Sequence, residues 1–271
     1  KKHNCPIVFR AGGTSLSGQC ITDGILVDIS RHWRKVNVSA DGKTVTVQPG
    51  ITGAMVNYYL KKHSSKIGPD PASINAAMMG GILSNNSSGM CCGVINNSYH
   101  TLQTISFVLA DGTKYNTATP GDYQRFETEQ PTIFQKINAL RTQVISNEKL
   151  YERIRKKYRT KNTVGYGLNA FVDYEHPLDI FAHLLIGAEG TLGFIAEATL
   201  LTLPDKPFKA TAILYFAGIY EACAAIVHLK ETGAEALELM VRSSLQRLVT
   251  LTGFPYFFAT LTENAAAILC D

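Results

Sequence analysis

Three segments of this 271-residue sequence combine glycines with hydroxyl and amide side chains in patterns suited to holding a ligand against bare backbone. In the first, Pro6-Ile-Val-Phe-Arg10-Ala11-Gly12-Gly13-Thr14-Ser15-Leu-Ser-Gly18-Gln19, a strand-like run enters a Gly-Gly turn. Glycine adopts positive φ and permits close approach, so successive N–H groups can converge on an anion such as a pyrophosphate. Thr14 and Ser15 add donors. No Gly-Lys-Ser/Thr closes this turn and it lacks Gly-x-Gly-x-x-Gly, so it is neither a Walker loop nor a Rossmann fingerprint. Taken alone, a Gly-Gly turn reads as a plain connection.

The second segment runs Gly68-Pro69-Asp70-Pro71-Ala-Ser73, then Met79-Gly80-Gly81-Ile82-Leu-Ser-Asn85-Asn86-Ser-Ser88-Gly89. Two rigid prolines followed by small polar residues predict an extended wall, with Asn86 and Ser88 able to bond a polar heterocycle. A surface loop is the plain alternative, but one this long inside a globular chain usually has a function. The third, Leu185-Ile-Gly187-Ala-Glu189-Gly190-Thr-Leu-Gly193-Phe-Ile195, alternates glycines with apolar residues, so a planar ligand can lie on it while Glu189 accepts hydrogen bonds. Read alone, it also suits a β-hairpin.

Other residues carry little chemistry. The seven histidines show no metal-ligand spacing and read as surface or structural groups, so no metal ligands are assigned. The six cysteines form no C-x-x-C pair, which suits reduced thiols in a cytoplasmic protein. A basic run, Arg153, Arg155, Lys156, Lys157, Arg159 and Lys161, reads as a solvated helix face because no aromatic interleaving accompanies it. The net charge of +4 is too mild to argue for nucleic acid, and no apolar run reaches the length of a membrane span.

The elements that must position these segments follow from patterning. Strands are expected at 7–9, 24–29, 43–48 and 104–110, with Asp-Gly turns at Asp23-Gly24, Asp41-Gly42 and Asp111-Gly112. Thr52 suits the start of a helix with Met55, Val56, Tyr59 and Leu60 on one face. Residues 130–160 are expected to be helical, with Ile133, Ile137, Leu140, Val144 and Ile145 in register. Residues 184–204 suggest a strand, a Gly-rich turn and a second strand, and Pro204-Asp205-Lys206-Pro207 is the best domain boundary. Beyond it, a strand at 210–216, a helix at 220–232 and a strand at 236–240 open an α+β unit. Residues 264–270 are an apolar stretch that ends without a cap, and both ends of the sequence read as interior to a longer chain.

Together the three segments, covering residues 6–204, resemble the FAD-binding domains of the vanillyl-alcohol oxidase and p-cresol methylhydroxylase superfamily. Within it they are most similar to D-lactate, glycolate and D-2-hydroxyglutarate dehydrogenases. The resemblance implies an α+β fold: a two-lobed FAD-binding domain over 1–204, with lobes of about 1–66 and 67–204, followed over 205–271 by the start of an α+β substrate (cap) domain. It implies that Arg10–Gln19 hold the FAD pyrophosphate, that Pro69–Ser73 and Gly80–Gly89 line the cofactor, and that Glu189–Ile195 close over its adenosine side. Several relatives carry a flavin-linked His where Thr14 stands, so the FAD here is expected to be non-covalent. Ile82 departs from a common Gly-Gly-Asn pattern.

The run Lys161-Asn-Thr-Val-Gly-Tyr166-Gly-Leu168 resembles one that relatives place just before the third segment, here separated from it by residues 169–182. That arrangement looks like long bacterial enzymes fused to an iron–sulfur segment. The implied reaction is oxidation of a small 2-hydroxy acid, passing electrons to a separate acceptor. Catalytic residues, and a divalent metal to polarise the substrate, are expected beyond residue 271. Peripheral membrane association stays open. So do a sugar-alcohol oxidase, a reductase of cell-wall precursors, and a non-catalytic nucleic-acid-binding module using the basic run.

Overall fold

The computed structural model describes residues 5–248 and 260–271, and contacts divide the chain into two units, Lys1–Asp205 and Lys206–Asp271. His3 lies outside the described residues. The first unit opens with strands β1 (Ile7–Arg10) and β2 (Ile25–Asp28), paired in parallel as a separate two-stranded sheet. Next come β3 (Val36–Val38), β4 (Thr44–Val47), helix α1 (Gly53–Leu60) and β5 (Ser65–Ile67). Alternation in β4 buries Val45 and Val47 and leaves its threonines partly accessible. The Thr52 hydroxyl accepts from the Met55 N–H and caps α1 as its sequence predicts. Of the expected apolar face, Val56 and Leu60 are buried, whereas Met55 and Tyr59 are exposed.

The Gly-rich stretch is not bare loop. It holds α2 (Met79–Asn85) and α3 (Ser98–Thr101), which lead into β6 (Leu102–Val108) and β7 (Lys114–Asn116). Three helices follow, α4 (Pro120–Glu129), α5 (Pro131–Ser146) and α6 (Glu148–Lys157). The helical region at 130–160 is therefore interrupted, because Pro131 starts α5 at its first turn and the Asn147 side chain caps α6. Ile137 and Val144 of α5 are buried, but Leu140 and Ile145 are exposed.

After α7 (Ala170–Asp173), α8 (Pro177–Leu185) precedes the long strand β8 (Phe194–Pro204). The strand expected from residue 184 is thus the end of a helix. Every residue of α8 except Asp179 is buried, so its apolar run has almost no polar face to reveal a helical period.

Strand β8 organises the unit, lying antiparallel between β4 and β6 in the order β3-β4-β8-β6-β7, with β5 also pairing to it. Strands β4 and β5 both hydrogen-bond to β8, so early and late parts of the unit meet in one sheet, while β1 and β2 form a sheet of their own. Phe107, Tyr115, Phe126 and Phe181 pack beside it with ring centroids 5.2–5.9 Å apart.

The second unit contains β9 (Ala212–Phe216), α9 (Ile219–Glu231), β10 (Leu237–Val241), α10 (Arg242–Leu248) and β11 (Ala266–Cys270). The β-α-β order holds, and the apolar 264–270 stretch supplies the central strand, antiparallel to both β10 and β9.

Candidate cofactor site

The three segments line one open cleft of about 1650 Å³ in the first unit. Strand β1 delivers the first loop, anchored by the Ile29 N–H donating to the Arg10 carbonyl at 3.0 Å. Gly13 (φ +64°) turns the chain in the left-handed region, where glycine is unstrained. A Cβ on Gly12 would lie 2.4 Å from the Ala76 carbonyl oxygen, so this loop rests directly on the backbone leading to α2. The N–H groups of Gly12, Gly13 and Thr14 make no hydrogen bond among the described residues. Arg10, Ala11, Gly12, Gly13, Thr14, Ser15 and Gln19 line the cleft, whereas Gly18 does not. The Ser15 hydroxyl donates to the Gln19 side chain.

The second segment divides into wall and brace. Pro71, Ser73, Gly80, Gly81, Asn85 and Ser88 line the cleft. Gly81 is bare, since a Cβ there would meet only Ala11 at 3.9 Å. Pro69, Asp70, Asn86 and Gly89 are not in the lining. Asp70 instead accepts from the backbone N–H groups of Gly89, Cys91 and Cys92 at 2.9–3.1 Å, fixing the loop after α2. Asn86 ends α2 in a left-handed conformation and accepts from the Tyr99 N–H at 3.2 Å. The Ser88 hydroxyl is buried and unpartnered among the described residues; Cys92 interacts with it, but outside hydrogen-bond geometry. Burial, then the Asp70 carboxylate, pushes the Cys92 thiol up from its ordinary range.

In the third segment, the Gly187 and Glu189 N–H groups donate to the Leu83 and Ser84 carbonyls at the end of α2, at 3.1 and 2.8 Å. Glu189 occupies φ +53°, unusual for a residue with a side chain, and its carboxylate accepts from Asn85. Glu189, Gly190, Gly193 and Ile195 all reach the cleft. The second and third segments are thus fastened by main-chain and side-chain bonds before any ligand is considered.

Several lining residues are additional to those the resemblance assigned to the cofactor. Phe9, Trp33 and Phe194 form an aromatic wall, with Phe194 ring centroids 4.2 Å from Phe9 and 5.2 Å from Trp33. Lys161 and Thr163 enter the cleft from the loop after α6. Cleft charges comprise Arg10, Lys114 and Lys161 against Glu189 and Glu197. The rest of the basic run lies off the cleft, on α6 and just after it.

Residues 1–118 match the family model described as FAD binding domain. The chain is 30% identical over 204 residues to D-2-hydroxyglutarate dehydrogenase of Pantoea ananatis, covering 72% of this chain and 19% of that protein. It is 24% identical over 259 residues to the mitochondrial D-lactate dehydrogenase [cytochrome] of Kluyveromyces lactis, covering 93% of this chain and 36% of the relative. A solved alkyldihydroxyacetonephosphate synthase superposes with TM-score 0.64 at 16% identity, over 99% of this chain and 43% of its own. The fold is the FAD-binding p-cresol methylhydroxylase type. The chain therefore spans about a fifth to about a third of the length of these two dehydrogenases.

The cleft fits FAD on physical grounds. Unpaired N–H groups at Gly12–Thr14 are donors waiting for an anion, and the bare Gly81 backbone opposite leaves room for it. The orphaned Ser88 hydroxyl is a buried polar atom that a heterocycle would satisfy. Among the described residues, no group of three or more His, Cys, Asp or Glu side chains is arranged to hold a metal, and no helix is long and apolar enough to cross a membrane.

Proposed function

We propose that this chain is the FAD-holding part of a dehydrogenase that oxidises a small D-2-hydroxy acid of the D-2-hydroxyglutarate, D-lactate or glycolate type. The observation that carries it is the convergence of three Gly-rich segments on one cleft in an FAD binding domain. The names of the aligned relatives support the substrate class. When bound, FAD accepts the two electrons and hydrogen released from the substrate Cα.

The chain's own residues bind and orient. Gly12, Gly13, Thr14 and Ser15 present N–H and hydroxyl donors to the pyrophosphate. Pro71, Ser73, Gly80, Gly81 and Ser88 form the wall that fixes the ring. Glu189 and Gly190, held by Asn85 and the carbonyls of α2, close the opposite side. Thr14 has no nucleophilic ring nitrogen, so the cofactor is held without a covalent bond. Residues that polarise the substrate, with any metal or iron–sulfur centre, belong to the length of the relatives that this chain does not span. Residues 206–271 are read as the start of the substrate domain. A separate electron acceptor reoxidises the flavin, nucleic acid is not a partner, and membrane association is at most peripheral. The lack of a C-x-x-C pair among the six cysteines suits a cytoplasmic setting.

The test loads with FAD the full-length protein of which this chain is the FAD-holding part, adds D-2-hydroxyglutarate, D-lactate and glycolate anaerobically in turn, and follows oxidised-flavin absorbance. Bleaching by one acid, with its 2-oxo acid as product, is the expected result. A loaded protein bleached by none counts against the hydroxy-acid reading. Acid precipitation of the same sample should release all flavin to the supernatant, and flavin retained in the pellet would refute the non-covalent mode.

A further inference from the structure

Outside the three segments, the loop after α6 sends one cation into the cleft. The Lys161 ammonium donates to the Ser88 carbonyl at 3.3 Å, and Thr163 lines the cleft beside it. The loop is pinned farther on, where the Tyr166 hydroxyl bonds the Thr191 hydroxyl at 2.9 Å. Tyr158 braces it from α6, donating to the Tyr166 carbonyl at 3.1 Å and accepting the Leu168 N–H at 2.9 Å. Lys161 is thus carried on a strap tied to both the second and third segments.

The other two cations of the cleft are placed elsewhere. The Arg10 guanidinium lies against Gly13, with Nε 2.9 Å from where a Cβ would be, and so belongs to the first loop. Lys114 is on β7. Lys161 alone sits beside Ser88, whose buried hydroxyl is unpartnered among the described residues. An ammonium offers three donors and no acceptor, and a hydroxyl adds one more donor, so this corner suits an acceptor-rich edge that becomes anionic. The pyrimidine edge of an isoalloxazine has that chemistry. Its N1 and C2 carbonyl accept hydrogen bonds, and they take up one negative charge when hydride addition delivers two electrons to the ring.

Resting on the FAD reading above, we infer that Lys161 and Ser88 form the subsite for the pyrimidine edge of the flavin, and that Lys161 favours its reduced form by compensating that charge. Lys161 tunes and positions the cofactor; it takes no proton from the substrate.

Sulfite tests this without the substrate. It bonds to flavin N5 through its sulfur lone pair, no leaving group departs, and the ring gains negative charge at the same edge. In the FAD-loaded full chain, Lys161→Met should raise the sulfite Kd at least about tenfold, because the positive charge beside the edge that becomes anionic is removed. The FAD Kd should change by less than about threefold, since Arg10 and the first loop hold the phosphates. Lys161→Arg should restore most of the sulfite affinity, and Ser88→Ala should weaken it by a smaller factor. Unchanged sulfite affinity in flavin-loaded Lys161→Met overturns the inference. So does a large, salt-dependent loss of FAD affinity with sulfite binding intact, which would place Lys161 at the pyrophosphate. A wild-type chain that takes up no FAD overturns the flavin reading, and this inference with it.

Discussion

At Gly12 the space for a side chain is already occupied by the Ala76 carbonyl, and this contact sets the first loop against the start of α2. Gly12→Ala should cost about 1–3 kcal/mol, the usual penalty for forcing an extra carbon into a packed contact. Denaturant unfolding of the apo chain checks this, and an unchanged midpoint would show that the loop yields freely. Gly12, Gly13, Gly80, Gly81, Gly190 and Gly193 line the cleft, where close approach leaves few alternatives to glycine, whereas Gly18 and Gly89 lie outside it. The polar residues were less legible in sequence. Asp70, Asn86 and Ser88 look equally suited to a ligand, yet Asp70 and Asn86 spend their oxygens on backbone N–H groups while Ser88 is part of the cleft lining. Which way a short polar side chain turns depends on what tertiary packing brings near it. Trp33 (φ +49°) reaches the cleft from a segment with no glycine signature.

Among the elements, α8 shows how burial hides a pattern. His183 on this helix is 7% exposed, stacked 3.7 Å from the Tyr174 ring and set edge-on to Tyr99. Its Nδ1 lies 2.8 Å from the Asp179 carbonyl, which can only accept, so Nδ1 holds the proton of a neutral ring. Nε2 is buried and unpartnered among the described residues. Burial lowers the His183 pKa below its ordinary 6.5, outweighing the Asp179 carbonyl and the Asp179 and Asp173 carboxylates, while His100 lowers it further. Below pH 6.5 the unfolded chain therefore binds a proton that the folded chain refuses, and stability drops until pH reaches the folded value. Thermal unfolding should show Tm falling with pH through this window in the wild type and falling less in His183→Asn. Equal slopes would remove His183 as the cause. Tyr99, pushed up by burial and by the Asp173 carboxylate that its hydroxyl contacts at 2.8 Å, stays protonated throughout.

For the molecule as a whole, strand β8 brings early and late sequence of the first unit into one sheet beside the separate β1-β2 pair. Strand order is set by long-range pairing, and local pattern carries little of it. The same strand begins at Phe194, between the third Gly-rich segment and the aromatic wall, so the sheet presents the ligand-binding loops on a rigid edge. The central claim is that FAD occupies this cleft. Trp33 is the single tryptophan of the sequence and lines it, so its emission reports on occupancy directly. Titrating FAD into the apo chain should quench Trp33 fluorescence saturably, at one FAD per chain. Emission that changes only by the optical absorption of free FAD, with no saturation, would contradict the account.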